Sequence, residues 1–247
     1  MDAQAISDAL EALSNTDTAR RQRKQQQPLR GLRGTPLSEV ARIAAASWTE
    51  SRPVLPDDEG ELNNLFASAW EDGLVAIGLL AACIPDYPEE ALELGLSWLT
   101  RLDDVATGDA LGWLVLGGGS LASGRGLASL GRPDHIAARR AIVMAGMAAL
   151  PEPIEGPSAA PLRARLSEKR VQFVEEPLSN ALTAHVNTWL RDESPAVRKG
   201  LRRLLRSWTR TDAAAVVAWG DSVRGGLPRL LRDEVNRARR RADRGQE

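Results

Sequence analysis

Apolar residues recur at three- and four-residue intervals along the whole chain, and no segment alternates apolar and polar positions as a half-buried strand would. Ile6, Leu10 and Leu13 mark a first short amphipathic helix. Thr35 followed by Pro36 reads as an N-cap with proline in the first helical position, opening a helix through about Ser47. Further helices are predicted over about 58–70, 72–83, 88–101, 104–116, 120–130, 133–149, 159–170, 177–191, 194–208, 211–223 and 228–242. The breaks between them are short: IPDYP, GGGS, GRPDH, DESP, TRTD and GGLP. Glycines 117–119 read as one of these turns, since they lack the preceding strand and the spacing of a dinucleotide fingerprint. The longest break, LPEPIEGPSAAP, has four prolines in twelve residues and ends any helix; it reads as an inserted loop rather than a boundary.

Three junctions resemble one another: Trp98-Leu-Thr-Arg-Leu-Asp103, Trp189-Leu-Arg-Asp192 and Trp208-Thr-Arg-Thr-Asp212. In each, Trp closes an apolar stripe, Arg sits at the negative end of a helix, and Asp is available to cap the next one. The spacing is irregular, so this is no strict tandem repeat. Antiparallel helix pairs stacked into a superhelix, as in HEAT arrays, fit these features best. The expected fold is therefore all-α and HEAT-like, with residues 1–34 an N-terminal helix and basic arm and 35–247 a single repeat domain.

Composition agrees: Ala, Leu and Arg dominate and aromatics are only 4%, which favours helix over sheet. The single cysteine, Cys83, lies in the apolar run LLAACI and reads as a buried thiol. His135 and His185 lack ligand-like spacing to each other or to Cys83, so neither a metal nor any other cofactor is expected. No stretch is long and apolar enough to span a bilayer, and the acidic amphipathic start is unlike a secretory signal; a cytoplasmic, nucleoid-associated monomer is expected.

The net charge of -1 conceals strong segregation. Six basic residues and no acid lie between Arg20 and Arg33, in a stretch that is either a solvated helix or a mobile arm closing on DNA. From Glu50 to Asp104 there are thirteen acids against two arginines, and from Arg198 to Arg210 six basic residues and again no acid. On helix 194–208, Leu201, Leu204, Leu205 and Trp208 form a core stripe, while Lys199, Arg203, Arg206 and Arg210 line another face. Without acids beside them, these cations suit a phosphate backbone.

A series of motifs resembles the bacterial HEAT-like DNA alkylation repair proteins, the AlkD-type alkylpurine DNA glycosylases. It begins at Leu32-Arg-Gly-Thr-Pro-Leu-Ser-Glu-Val-Ala-Arg-Ile43 and continues through Trp70-Glu71-Asp72 and Ala76-Ile77-Gly78-Leu79-Leu80. Trp98 to Asp109, Ala138-Arg139-Arg140-Ala-Ile-Val143 and Val197 to Trp208 complete it, over about residues 30 to 220. The resemblance implies that Asp109 is the catalytic carboxylate, and that Arg139, with Arg140 the neighbouring alternative, contacts phosphate near the lesion. Lys199, Arg203, Arg206 and Arg210 would hold backbone elsewhere. The two tryptophans that cradle the lesion's deoxyribose backbone in active members fall here on Val105 and Arg203.

The expected partner is duplex DNA, with no membrane and no metal. The expected activity is hydrolysis of the N-glycosidic bond of cationic N3- or N7-alkylpurines without base flipping. Two alternatives stand beside it: a non-catalytic DNA-binding relative, and a helical scaffold for a basic protein partner.

Overall fold

The computed structural model describes residues 1–26, 28–151, 178–223 and 226–244. The predicted helix 159–170 and all but the first two residues of the proline-rich break fall outside them. The described residues form an all-α helical-repeat fold with no strand among them. In chain order the helices are α1 (Ala3–Glu11), α2 (Thr16–Gln26), α3 (Leu37–Glu50), α4 (Glu59–Ala67), α5 (Trp70–Cys83) and α6 (Pro88–Ser97), the last prolonged by a 3-10 turn, Trp98–Arg101. Next comes a continuous rod: α7 (Val105–Ala110), a π-helical stretch Leu111–Gly117, and α8 (Gly118–Ala122). After it stand α9 (Ile136–Ala145), α10 (Ser179–Trp189), α11 (Pro195–Thr211), α12 (Ala213–Ser222) and α13 (Arg229–Arg244).

One layer of helices positions the rest. All fourteen residues of α5 are buried. The rod beginning at α7 and helix α9 run side by side in the same direction, because Gly108, Gly112 and Gly117 face Ala137, Ala141 and Ala145 in turn. A Cβ on Gly112 would run into the Ala141 carbonyl oxygen, and one on Gly117 into that of Ala145, so the approach requires glycine. Helix α11 continues the layer in the same sense: Gly200 packs against Arg140 and Val143, and Leu204 reaches Gly146. Helix α13 follows it, since Glu234 meets both Arg202 and Arg206. Leu201, Leu204, Leu205 and Trp208 are all fully buried, as the stripe on α11 predicts.

The triple glycine is therefore not a turn. It lies within the rod, where side chains would hold the helices apart. Thr35 does not cap α3 either; its hydroxyl donates to the Leu10 carbonyl at 2.8 Å, and the N-cap of α3 is Pro36, without a side-chain bond. Of the three Trp–Asp junctions, Asp212 caps α12 through the Ala215 amide at 2.9 Å, as expected. In the first junction the cap is Asp104, bonded to the Thr107 amide at 2.8 Å, while Asp103 pairs with Arg30. Asp192 accepts from the Ser194 amide at 2.9 Å.

The basic segment divides in two. Arg20, Arg21, Arg23 and Lys24 lie exposed on α2. Arg30 and Arg33, in contrast, are tied inward. Arg30 donates to Asp103 at 3.1 Å and to the Phe66 carbonyl at 2.7 Å. Arg33 donates to Asp72 at 2.7 Å, and the Asp72 carboxylate beside its guanidinium holds the Arg33 pKa above the ordinary arginine value. These bonds draw acids from the 50–104 stretch, so much of the apparent charge segregation is cancelled between segments distant in sequence.

Candidate nucleic-acid interface

Three successive helices of the layer bring three charged side chains together. Asp109 stands on α7, one turn after Val105, and is 2% exposed. Arg140 of α9 holds both of its oxygens, donating from Nε to Oδ1 at 2.7 Å and from Nη2 to Oδ2 at 2.8 Å. The same guanidinium donates from Nη1 to the Ala196 carbonyl of α11 at 3.2 Å, so its plane is fixed on both sides. Arg203 of α11 adds a single bond, Nη1 to Oδ2, at 2.5 Å. The two holds differ: the Arg140 side chain is 7% exposed and the Arg203 side chain 25%. Two guanidiniums on one carboxylate leave the group with one surplus positive charge.

The remaining candidates spread along this layer. Arg139 faces away from Asp109 and, with Arg132, approaches the buried Asp192 at 3.4 and 3.3 Å. Of the two arginines that the motif offered, it is thus Arg140 that reaches Asp109. Lys199 is exposed on the first turns of α11. Arg206 donates to Glu234 of α13 at 3.0 Å. Arg210, exposed near the end of α11, lines a cavity between α11 and α13. Lys199, Arg203, Arg206 and Arg210 share a helix face, on which Arg203 pairs with Asp109 and Arg206 with Glu234.

Sequence reasoning singled out Asp109 without pairing it with Arg203, and it missed Glu234; both acids lie far from their arginines along the chain. Glu234 carried a signal nonetheless: it interrupts the buried stripe Leu231, Val235, Ala238 of α13, where an acid needs a partner. Asp104 is similarly buried, within 3.6 Å of Arg30, and burial raises its pKa above the ordinary carboxylate value.

None of the seven tryptophans is exposed, so none stands in for those that the resemblance expects at Val105 and Arg203. Trp113 and Trp208 are both fully buried, and the other five are at most 3% exposed. The exposed large side chains at this end of the layer are aliphatic: Val105 and Ile136, the first residues of α7 and α9, at 38% and 48%. Among the described residues no group of three or more His, Cys, Asp or Glu side chains could hold a metal, and no helix is long and apolar enough to cross a membrane.

The site is thus a buried carboxylate clamped by arginines from neighbouring helices within an all-α helical-repeat fold. The family model described as DNA alkylation repair enzyme matches residues 6–235, and the chain belongs to that family. No curated protein and no solved structure matches it.

Proposed function

We propose that this protein binds duplex DNA across α7, α9 and α11 and hydrolyses the N-glycosidic bond of cationic N3- or N7-alkylated purines. Asp109 is the electrostatic catalyst in this reading. The observation that carries it is the unequal clamp on Asp109: a bidentate, buried Arg140 and a single, partly exposed Arg203. Buried ion pairs add little stability compared with apolar packing of the same volume. A charged trio set where three successive helices meet, with one of its arginines partly exposed, therefore points to use as well as to support.

The chemistry asks little else of the protein. The alkylated base already carries positive charge, so it leaves as a neutral purine and takes the electrons of the C1′–N bond without a general acid. Positive charge then develops on the sugar as an oxocarbenium ion. Water adds to C1′ and loses its proton to solvent. A carboxylate about 4 Å from that cation contributes about 4 kcal/mol at an effective dielectric near 20, or roughly 10³ in rate. Arg140 holds the carboxylate in place. Arg203 covers Oδ2 in the free protein, and a backbone phosphate competes for it when DNA binds. As Arg203 turns to the phosphate, Oδ2 keeps only its bond from Arg140 and can turn its second lone pair to the sugar.

One observation favours a second reading. Arg203 occupies a position where active relatives have a sugar-contacting tryptophan, and the buried tryptophans supply no substitute. In that reading the trio, with its surplus positive charge, is a phosphate clamp and the protein binds without cleaving. Single-turnover incubation of excess protein with duplex containing N7-methylguanine separates the two. Release of free base is the expected result; saturated binding with no release would establish the non-catalytic reading.

A further inference from the structure

The last helix makes a second site. Helices α11 and α13 run side by side, and toward their shared C-terminal end they enclose a cavity of about 270 Å³ lined by Arg206, Thr209, Arg210, Arg237, Arg241 and Arg244. Arg237, Arg241 and Arg244 recur at four- and three-residue intervals and so form one stripe on α13; Arg206, Thr209 and Arg210 do the same on α11. Just inside, the buried Glu234 takes bonds from Arg202, Arg206 and Arg237. Three guanidiniums on one carboxylate leave two surplus charges there, before Arg241 and Arg244 are added. The negative end of a helix dipole accounts for one or two arginines in a last turn. It does not account for Arg206 and Arg237 sharing the single carboxylate of Glu234 at the edge of the space that Arg241 and Arg244 also line, where the surplus positive charge favours an anion.

We infer that this cavity binds a phosphodiester group of duplex DNA, as an anchor distinct from the Asp109 cluster. Two features fit that chemistry. Guanidiniums present paired donors matched to phosphate oxygens, and among the described residues the lining is arginine apart from Thr209, whose hydroxyl is spent on the Leu205 carbonyl. Arg206, bonded through Nε to Glu234, is held with its plane fixed at the cavity edge. The site also continues the face of α11 that carries Arg203. The rise from Arg203 to Arg210 is about 10 Å, roughly the axial rise of three base pairs. One backbone could thus cross from the Asp109 cluster to this cavity.

The inference rests on the duplex-DNA reading but not on catalysis. Its test is the salt dependence of duplex binding, followed by fluorescence anisotropy with an undamaged duplex. R241Q/R244Q removes two exposed arginines of the cavity and leaves the Glu234 cluster intact. R42Q/R52Q removes two exposed arginines on α3 and just beyond it, with the same change in net charge. Loss of one phosphate contact should lower the slope of log Kd against log salt by about 0.9 in R241Q/R244Q, with the wild-type slope kept in R42Q/R52Q. Equal slopes in both variants would overturn the inference, as would a wild-type protein that does not bind duplex. A second arm uses inorganic phosphate alone. If phosphate raises the melting temperature of wild type but not of R241Q/R244Q, while the DNA slopes stay equal, the cavity is a free-phosphate site and the DNA assignment is wrong. Base release is measured separately from the slopes, so equal slopes would overturn this anchor and leave the proposal for Asp109 standing.

Discussion

Arg140→Met and Arg203→Met each remove one guanidinium from the same carboxylate, yet their consequences should differ several-fold. Arg140 is bidentate and 7% exposed, on a carboxylate whose side chain is 3% exposed. Stranding one member of such a pair costs about 3–5 kcal/mol. The remaining bond from Arg203 places the loss at the lower end, and the forfeited bond to the Ala196 carbonyl adds about 1 kcal/mol. The expected total is about 3–4 kcal/mol, or roughly 6–16 °C in Tm for a chain of this length. Arg203 makes one bond and its side chain is 25% exposed, so water replaces much of what it gives; about 1 kcal/mol is expected, roughly 2–4 °C. Thermal melts by circular dichroism measure both. The double variant D109L/R140M should recover to within about 1 kcal/mol of wild type, because the cost lies in the stranded charge and not in the missing pair. Duplex affinity should respond in the opposite order, with Arg203→Met weakening it more than Arg140→Met. Equal destabilisation by the two single variants, or a larger loss in Arg203→Met, would refute the distinction between a fixed and a releasable arginine.

Other consequences follow from the same geometry. Gly112→Ala would drive its Cβ into the Ala141 carbonyl and part α7 from α9; a loss of about 1–3 kcal/mol or more is expected, and a Tm within a degree of wild type would contradict the packing. His185 is buried against the Val143 carbonyl, and burial holds its pKa below the ordinary value of about 6.5. The unfolded chain therefore takes up the proton first as pH falls. The contribution is intact above about pH 6.5 and is lost below it, and His185→Gln should flatten that acid decline in urea titrations. Val105→Trp restores an aromatic wall at an exposed position one turn before Asp109 and should raise base release; an unchanged rate would mean that no wall is needed there.

The fold was legible in the sequence wherever one face of a helix repeats. Leu201, Leu204, Leu205 and Trp208 announce their own burial, and Asp212 its cap. Glycines 117–119 misled because glycine marks both turns and close helix contacts, and local sequence does not distinguish them. Thr35 misled because its hydroxyl finds a carbonyl on α1, a tertiary partner that outcompetes the local cap. At the site, the motif brought out Asp109 and left Arg139 and Arg140 as alternatives. Their neighbours decide: Arg140 faces α7, whereas Arg139 turns to Asp192. The charge pattern of α11 was visible as a face but not as a network. Arg203 and Arg206 find their acids 94 and 28 residues away, and nothing in the helix itself records that.

The role of Asp109 is tested most directly by Asp109→Asn, with release of N7-methylguanine and duplex affinity measured on the same preparation. The amide keeps an acceptor for Arg140 but removes the negative charge. The account predicts that release falls by roughly 10³ while affinity for the duplex is equal or tighter, because the trio then carries one more surplus positive charge. Release within tenfold of wild type, or a loss of affinity matching the loss of release, would contradict it.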